Sequence, residues 1–425
     1  MTRFPLKDKV TAIVADAANK GFFHLYSANL VMNLLAFGSQ LLVAKFLSAN
    51  ELGDLKTLQS FFGLAVIVAG FGLNTAIIKL CSEERPDAER AAIFRQNLLV
   101  ALIPIVLTMF VGVVAARVGL LSPESRVNQW MPALLLALPA SVITTLIMAY
   151  LQARKRINLM AMSQTLLRLG SAVVIVAATY GAGFAGYIWA AVLMTTAMVV
   201  PLAWVVRESL RAPAAGRPVF SESWSIAKWS LGANLIGALN GFLDVLLLNY
   251  WTDDRTTLGY YGLATIFILG LNQVTITIQT IATPYFSQYS QSPDRFRQVL
   301  RTYQRRLIAL SAGIAAVGYF AVPAVIKWVY GADFAPAGMF FRILLIRYFI
   351  WSCHALLGTA LIGLGQVKYN FYSVVIALAV TLLLSAVLIS SHQFVGAAVA
   401  QAIAGGVTFV VVVLMTRHVL RTHLK

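Results

Sequence analysis

Charge is scarce in this sequence: only 12% of its 425 residues are Asp, Glu, Lys or Arg, where a soluble domain carries about 25%. Hydrophobic residues make up 59%, so a large soluble domain is excluded and an integral membrane protein is left. Cysteine is nearly absent. Cys81 and Cys353 fall in different halves, at or inside apolar segments, which excludes a disulfide framework and a thiolate metal cluster. The five histidines show no ligand spacing, and neither a metal nor a cofactor is expected. No GxxxxGK[ST] loop occurs, so ATP is not hydrolysed by that route. Acids number 16 against 33 Lys and Arg, a net charge of +17. In a soluble chain that surplus would suggest nucleic acid; in a membrane chain it reports orientation.

Long apolar runs are what the chain has instead. They fall at 22–47, 57–80, 97–120, 130–151, 162–181, 184–206, 227–250, 258–283, 306–328, 338–363, 370–390 and 394–416, each near the ~20 residues that cross a ~30 Å hydrocarbon core. The runs are continuous rather than alternating, which excludes a β-barrel. The fold class is therefore all-α, with about twelve transmembrane helices. Residues 1–20 lack the apolar core of a signal peptide, and Val10, Ile13, Val14 and Ala17 share one helical face, as in an interfacial helix.

Cations sort by connector. The N-terminus, alternate connectors and the tail hold 24 of the 33 Lys and Arg, among them Arg85, Arg90, Arg154, Arg156, Arg297 and Arg417. The opposite connectors hold Lys45, Lys56, Arg117, Arg126, Arg255 and Lys327, so both termini are expected in the cytoplasm. Ser292-Pro293-Asp294 reads as the start of a cytoplasmic helix, with proline at its first position.

The two halves repeat. Ala28-Asn29-Leu30 recurs as Ala233-Asn234-Leu235, Leu52-Gly53 as Leu258-Gly259, Arg156 and Asn158 as Lys368 and Asn370, and Phe184-Ala185-Gly186 as Phe394-Val395-Gly396. Each half has six spans and starts on the same side, so the repeats are parallel and predict two six-helix lobes. The boundaries are a cytoplasmic or interfacial segment at 1–20, an N-lobe at 21–206, an interlobe linker at 207–226, a C-lobe at 227–416 and a tail at 417–425.

Ala28-Asn29-Leu30, Phe46-Leu47-Ser48, Glu51-Leu52-Gly53, Gly70-Phe71-Gly72-Leu73, the Tyr330–Ala337 loop and Gly363-Leu364-Gly365-Gln366 resemble the polysaccharide transporter branch of the multidrug/oligosaccharidyl-lipid/polysaccharide exporter superfamily. The likeness covers nearly the whole chain through diffuse glycine and apolar patterns. It implies a flippase of the O-antigen (Wzx) type. Such a protein moves an undecaprenyl-pyrophosphate-linked oligosaccharide across a bacterial inner membrane, with polymerase and chain-length proteins as partners. Two extra spans typical of lipid II flippases are absent.

Polar residues within the spans are the candidate pathway, because a charge at depth faces a cavity or a partner. Arg347 shares a face with Trp351 and His354, and Arg168 with Gln164 and Ser171. Their guanidinium groups suit a diphosphate, or they make structural pairs; Arg342, near a span end, reads more readily as snorkelling. Asp244, with Gly237, Asn240 and Gly241, either carries a coupling proton or sodium ion or partners an arginine. Asn29, Asn33 and Gln40 form one amide stripe, and Asn272, Thr275, Gln279 and Thr283 another. These stripes line the cavity or bond between helices. Trp130, Trp224, Trp229, Trp251 and Trp328 read as interface anchors. The expected mechanism is alternating access around one cationic central cavity holding both Arg168 and Arg347, with the tail in lipid at a gap between lobes. Two rivals are a multidrug exporter of the same fold, disfavoured because the first six spans show no acid at depth, and a glycan polymerase or ligase, disfavoured by the short connectors.

Overall fold

The computed structural model describes residues 35–423 apart from 36, 124, 155, 212–216 and 290–291. The segment 1–20, the Ala28–Leu30 motif, Asn29 and Asn33 lie outside the described residues. The chain order is α1 (37–46), α2 (Ala49–Gly70), α3 (Leu73–Ser82), α4 (Asp87–Arg117), α5 (Ser125–Leu135), α6 (Leu138–Ala153) and α7 (Ile157–Val205). There follow α8 (Arg207–Leu210), α9 (Arg217–Trp251), α10 (Arg255–Gln288), α11 (Pro293–Tyr330), a 3₁₀ turn (Ala332–Phe334), α12 (Ala335–Gly363) and α13 (Val367–His423). Among the described residues there is no strand. Among the described residues eight helices are long and apolar enough to cross a membrane, or nine if α5 and α6, bent by 48°, form one span.

Two of these helices are too long for one crossing. The backbone of α7 leaves helical geometry at Ala182 and Gly183, and that of α13 at Gln393. Eight residues of unbroken helix would separate two positions by about 12 Å. A Cβ placed on Gly186 would instead lie 2.0 Å from the Ala178 carbonyl oxygen, and one on Gly396 1.9 Å from that of Leu388. The chain therefore doubles back at both places, each α7 or α13 comprising two limbs. Both turns fall at the boundaries expected from the apolar runs.

Large apolar side chains on the outer faces are exposed, among them Ile103, Phe110, Val317 and Leu383, as lipid contact requires. Helices pack within each half, and the halves meet chiefly along α2 and α3 against α9 and α10. At that seam the repeat-related glycines face each other. A Cβ on Gly53 would come within 2.5 Å of the Arg255 carbonyl oxygen, and one on Gly259 within 1.7 Å of that of Ala49. Only hydrogen fits at either position, which is why Leu-Gly recurs in both halves.

Several boundaries differ from expectation. The second span starts at Ala49 rather than 57, because Ser48 and Glu51 form a capping box: Ser48 Oγ accepts from the Glu51 amide at 3.3 Å, and Glu51 Oε2 accepts from the Ser48 amide at 3.0 Å. Asp54 and Lys56 thus lie inside a helix and are buried, so the first half does hold a buried acid within a candidate span. Arg126 pairs with it at 3.4 Å. The 207–226 stretch is largely helical, in α8 and the start of α9. Pro293 does open a helix, with Asp294 in its first turn, but that helix runs unbroken to Tyr330. Trp130 packs edge-on against Phe184, and Trp224 stacks on Phe71 with centroids 5.0 Å apart. Trp130 is thus a packing residue, whereas Trp224, Trp229, Trp251 and Trp328 all stand exposed, as anchors would.

Two opposite ends can be defined from the helix alternation. At the basic end Arg85 pairs with Glu83, Glu89 and, across the halves, Glu222. Arg154 donates to Asp87 and holds that carboxyl below the usual carboxylate range. At the other end, Arg255 donates to Asn249 Oδ1 at 2.8 Å and to Ser122 Oγ at 3.1 Å. Asn249 in turn donates to the Leu121 carbonyl at 2.8 Å. Ser122, Asn249 and Arg255 are all buried, so this network ties the 120–122 loop of the first half to the second half out of contact with water.

Candidate functional site

Two polar cavities lie within the helical body, one on each side of α10. The first, about 380 Å³, is enclosed by α9, α10, α12 and both limbs of α13. Arg347, Trp351 and His354 line it together, as their helical spacing predicts. His354 Nδ1 lies 2.8 Å from the Ile350 carbonyl oxygen; a carbonyl only accepts, so Nδ1 carries a proton, and in the neutral ring Nε2 is an acceptor. Asn240, Asn272, Gln279 and Asn370 supply amides to the same walls. Arg347 makes no ion pair among the described residues.

The second cavity, about 280 Å³, lies between α1, α2, both limbs of α7 and the edge of α10. Gln40, Arg168 and Ser171 line it, and so do Lys56 and Gln59. Lys56 Nζ donates to Gln59 Oε1 at 3.2 Å, and Gln59 Nε2 donates to Tyr187 Oη at 2.8 Å. The side chain of Gln164 lies outside the described residues. Hydropathy alone puts Lys56 in a connector; the Ser48-x-x-Glu51 capping box is the signal that places it inside the helix.

Among the described residues, Arg168 and Arg347 therefore line two different cavities. The two linings have no residue in common, and neither includes an Asp or Glu. Arg342 belongs to neither: its guanidinium lies over the Tyr319 ring, 4.8 Å from the centroid, and its Nε donates to the Tyr319 carbonyl at 3.3 Å. Gln279 divides its role, since it lines the cavity while its Nε2 donates to the Ala355 carbonyl at 2.9 Å. Thr275 is buried between helices, 3.0 Å from Ser352 Oγ.

Asp244 is buried but has a different partner from the arginine considered above. Tyr261 Oη donates to its Oδ2 at 2.6 Å, and the Val245 amide donates to its Oδ1 at 2.9 Å. The pair links α9 to α10 beside the first cavity.

Long apolar helices in two packed halves, with polar cavities among them and long reversing helices at repeat-equivalent places, define an all-helical membrane-protein fold. Solved structures agree. The chain superposes on a lipid II flippase MurJ in an inward closed conformation with a TM-score of 0.77 and 12% identity, covering 93% of this chain and 87% of that one. It also superposes on an inward-facing multidrug resistance MATE family transporter of the MOP superfamily, at 0.73 and 12% identity, covering 93% and 95%. Within that fold the family is more specific. The family described as "Polysaccharide biosynthesis protein" matches residues 18–290, more than half of the chain, and the chain belongs to it. A relative from Haloferax volcanii, named "Probable low-salt glycan biosynthesis flippase Agl15", is 26% identical over 91% of this chain and 80% of its own length. A second, the stage V sporulation protein B of Bacillus subtilis, is 24% identical over 80% and 72%.

Proposed function

We propose that this protein is a flippase that carries the headgroup of a lipid-linked oligosaccharide across the membrane by alternating access. The observation that supports it is the composition of the cavity walls: cations, amides and hydroxyls, with no carboxylate in either lining. A cation at mid-span costs ~2.5–3.5 kcal/mol on insertion scales, and an arriving anion offsets that cost. Guanidinium offers phosphate a forked pair of donors, while amides and hydroxyls match sugar hydroxyls. A diphosphate-linked glycan meets both demands. The finer reading is an undecaprenyl-pyrophosphate-linked O-antigen or exopolysaccharide repeat unit, moved across a bacterial inner membrane. Both termini would lie in the cytoplasm and polymerase and chain-length proteins would wait on the far side. A cationic drug is a poor match for walls that carry Lys56, Arg168 and Arg347.

Asp244 is the candidate for a coupling proton or sodium ion, because occupancy of its carboxylate would compete with Tyr261 and so loosen α9 from α10. The test uses proteoliposomes containing a polyprenyl-pyrophosphate-linked oligosaccharide, with a cationic dye as control. Translocation of the glycolipid should fall at least tenfold in both Arg347→Ala and Lys56→Ala, and the dye should not move. Dye transport without glycolipid transport would overturn the reading. Asp244→Asn should abolish dependence on an ion gradient; unchanged gradient-driven transport would remove Asp244 from coupling.

A further inference from the structure

The Lys56–Arg168 cavity does not end at its own walls. Ser39 and Ala172 line it and also line an apolar space of about 770 Å³ between α1 and the first limb of α7. Helical spacing explains the junction. Arg168, Ser171 and Ile175 of that limb turn toward the cationic cavity, whereas Leu169, Val173 and Val176 turn toward the apolar groove. Leu42 and Val173 are exposed along the groove, so it opens sideways into lipid. Phe46 and Tyr180 meet edge to face across its end, with centroids 5.1 Å apart. All of its lining falls within 35–46 and 169–180, up to the turns at 47–48 and 182–183.

On its other side the described part of α1 packs against the second half. Phe37 packs edge-on against Phe267 of α10, with centroids 6.1 Å apart, and fills the space beside Gly270. Tyr330 Oη donates to the Leu41 carbonyl at 2.9 Å. A ligand in the Lys56–Arg168 cavity with a chain attached to its charge would find a lateral path between α1 and α7, not between the halves.

We propose that this groove seats the hydrocarbon tail of the transported lipid while its anionic headgroup occupies the Lys56–Arg168 cavity; the inference rests on the flippase reading above. Apolarity alone does not draw a tail out of an equally apolar bilayer. What joins the tail to this groove is the charge at its inner end, through which the headgroup and the chain are held as one ligand. Binding of the tail then raises the effective concentration of the headgroup at its cavity. Blocking the groove should therefore weaken apparent affinity more than maximal rate.

The experiment uses the full chain in proteoliposomes and a polyprenyl-pyrophosphate oligosaccharide carrying a diazirine in its tail, with a diazirine phospholipid as a separate arm. The tail probe should label peptides within 35–46 and 169–180, and excess unlabelled glycolipid should reduce that labelling at least fivefold. Ala172→Trp, and Leu42→Trp on the more tolerant exposed wall, should raise the half-saturating glycolipid concentration at least fivefold. Labelling confined to the second half, or phospholipid labelling of the groove that glycolipid does not displace, would overturn the proposal in favour of ordinary annular lipid. Unchanged transport in both tryptophan variants would also overturn it while leaving the flippase reading intact. Absence of glycolipid transport by the wild type would remove that reading and the tail site with it.

Discussion

Gly183 in the first half and Gln393 in the second stand at equivalent points of the repeat, and both reverse a long helix through left-handed φ, 56° and 46°, with ψ near −139° and −122°. The cavities of the two halves diverge instead. One is walled by Lys56, Arg168 and Gln40; the other by Arg347, His354 and amides drawn from three helices. Duplication has kept the backbone path, which every residue of a lobe depends on, and released the side chains that meet a ligand. The glycine seam belongs to the kept part, since Gly53 and Gly259 pack reciprocally across the halves.

The largest effect should come from breaking that seam. Gly259→Val places a side chain against the Ala49 carbonyl oxygen, which is backbone and cannot swing away. Overpacking typically costs about 1–3 kcal/mol and occasionally more, and a clash with backbone falls at the upper end. Thermal unfolding in detergent should show little folded protein for Gly259→Val and a milder loss for Gly53→Ala, where the nearest backbone atom is farther off. Equal tolerance of both would mean that the halves are not pressed together there.

Next in size is the network at the end remote from the basic connectors. Arg255→Ala removes donors to Asn249 and Ser122 at a buried site, and each charge-assisted bond there is worth ~1.5–3 kcal/mol. The basic end offers the contrast: Arg85 meets Glu222, a partly exposed pair, and such pairs contribute ~0–1 kcal/mol. Arg255→Ala should make a cysteine at Ser122 several-fold more reactive to a membrane-impermeant thiol reagent, whereas Arg85→Ala should leave it unchanged. Similar reactivity in both variants would show that the buried network does not hold the halves together.

Much of this architecture was legible in advance, for physical reasons that also mark where legibility stopped. Apolar runs report lipid contact, so helix existence and the breaks near 182 and 393 followed from hydropathy. Polar residues at helix starts do not report it: Asp54 and Lys56 fell outside a hydropathy window although Ser48 and Glu51 marked the true start. A one-dimensional pattern also assigned Trp351 and His354 correctly to the face of Arg347, because they share a helix. It could not show that α10 would stand between Arg168 and Arg347, which depends on packing between distant segments. Asp244 illustrates the same limit, since Tyr261 lies on the next helix and nothing in the local spacing singles it out.

The reversals supply the smallest and sharpest comparison. Gly183→Gln should destabilise the first half by ~1–3 kcal/mol, the cost of holding a side chain in this backbone region. Gln393→Gly should do the reverse. Its present conformation carries that cost already, and glycine would relieve it at the expense of ~0.5–1 kcal/mol of unfolded-state entropy, for a net gain of about 1 kcal/mol. Thermal melts of Gln393→Gly and of the exchanged pair, Gly183→Gln with Gln393→Gly, separate backbone from side chain. A rise in the single variant with a net loss in the exchanged pair means the two turns share one geometry but the first tolerates less. A fall in Gln393→Gly would mean that the glutamine side chain contributes more than its backbone strain removes, and the equivalence of the two reversals would then extend only to the path of the chain.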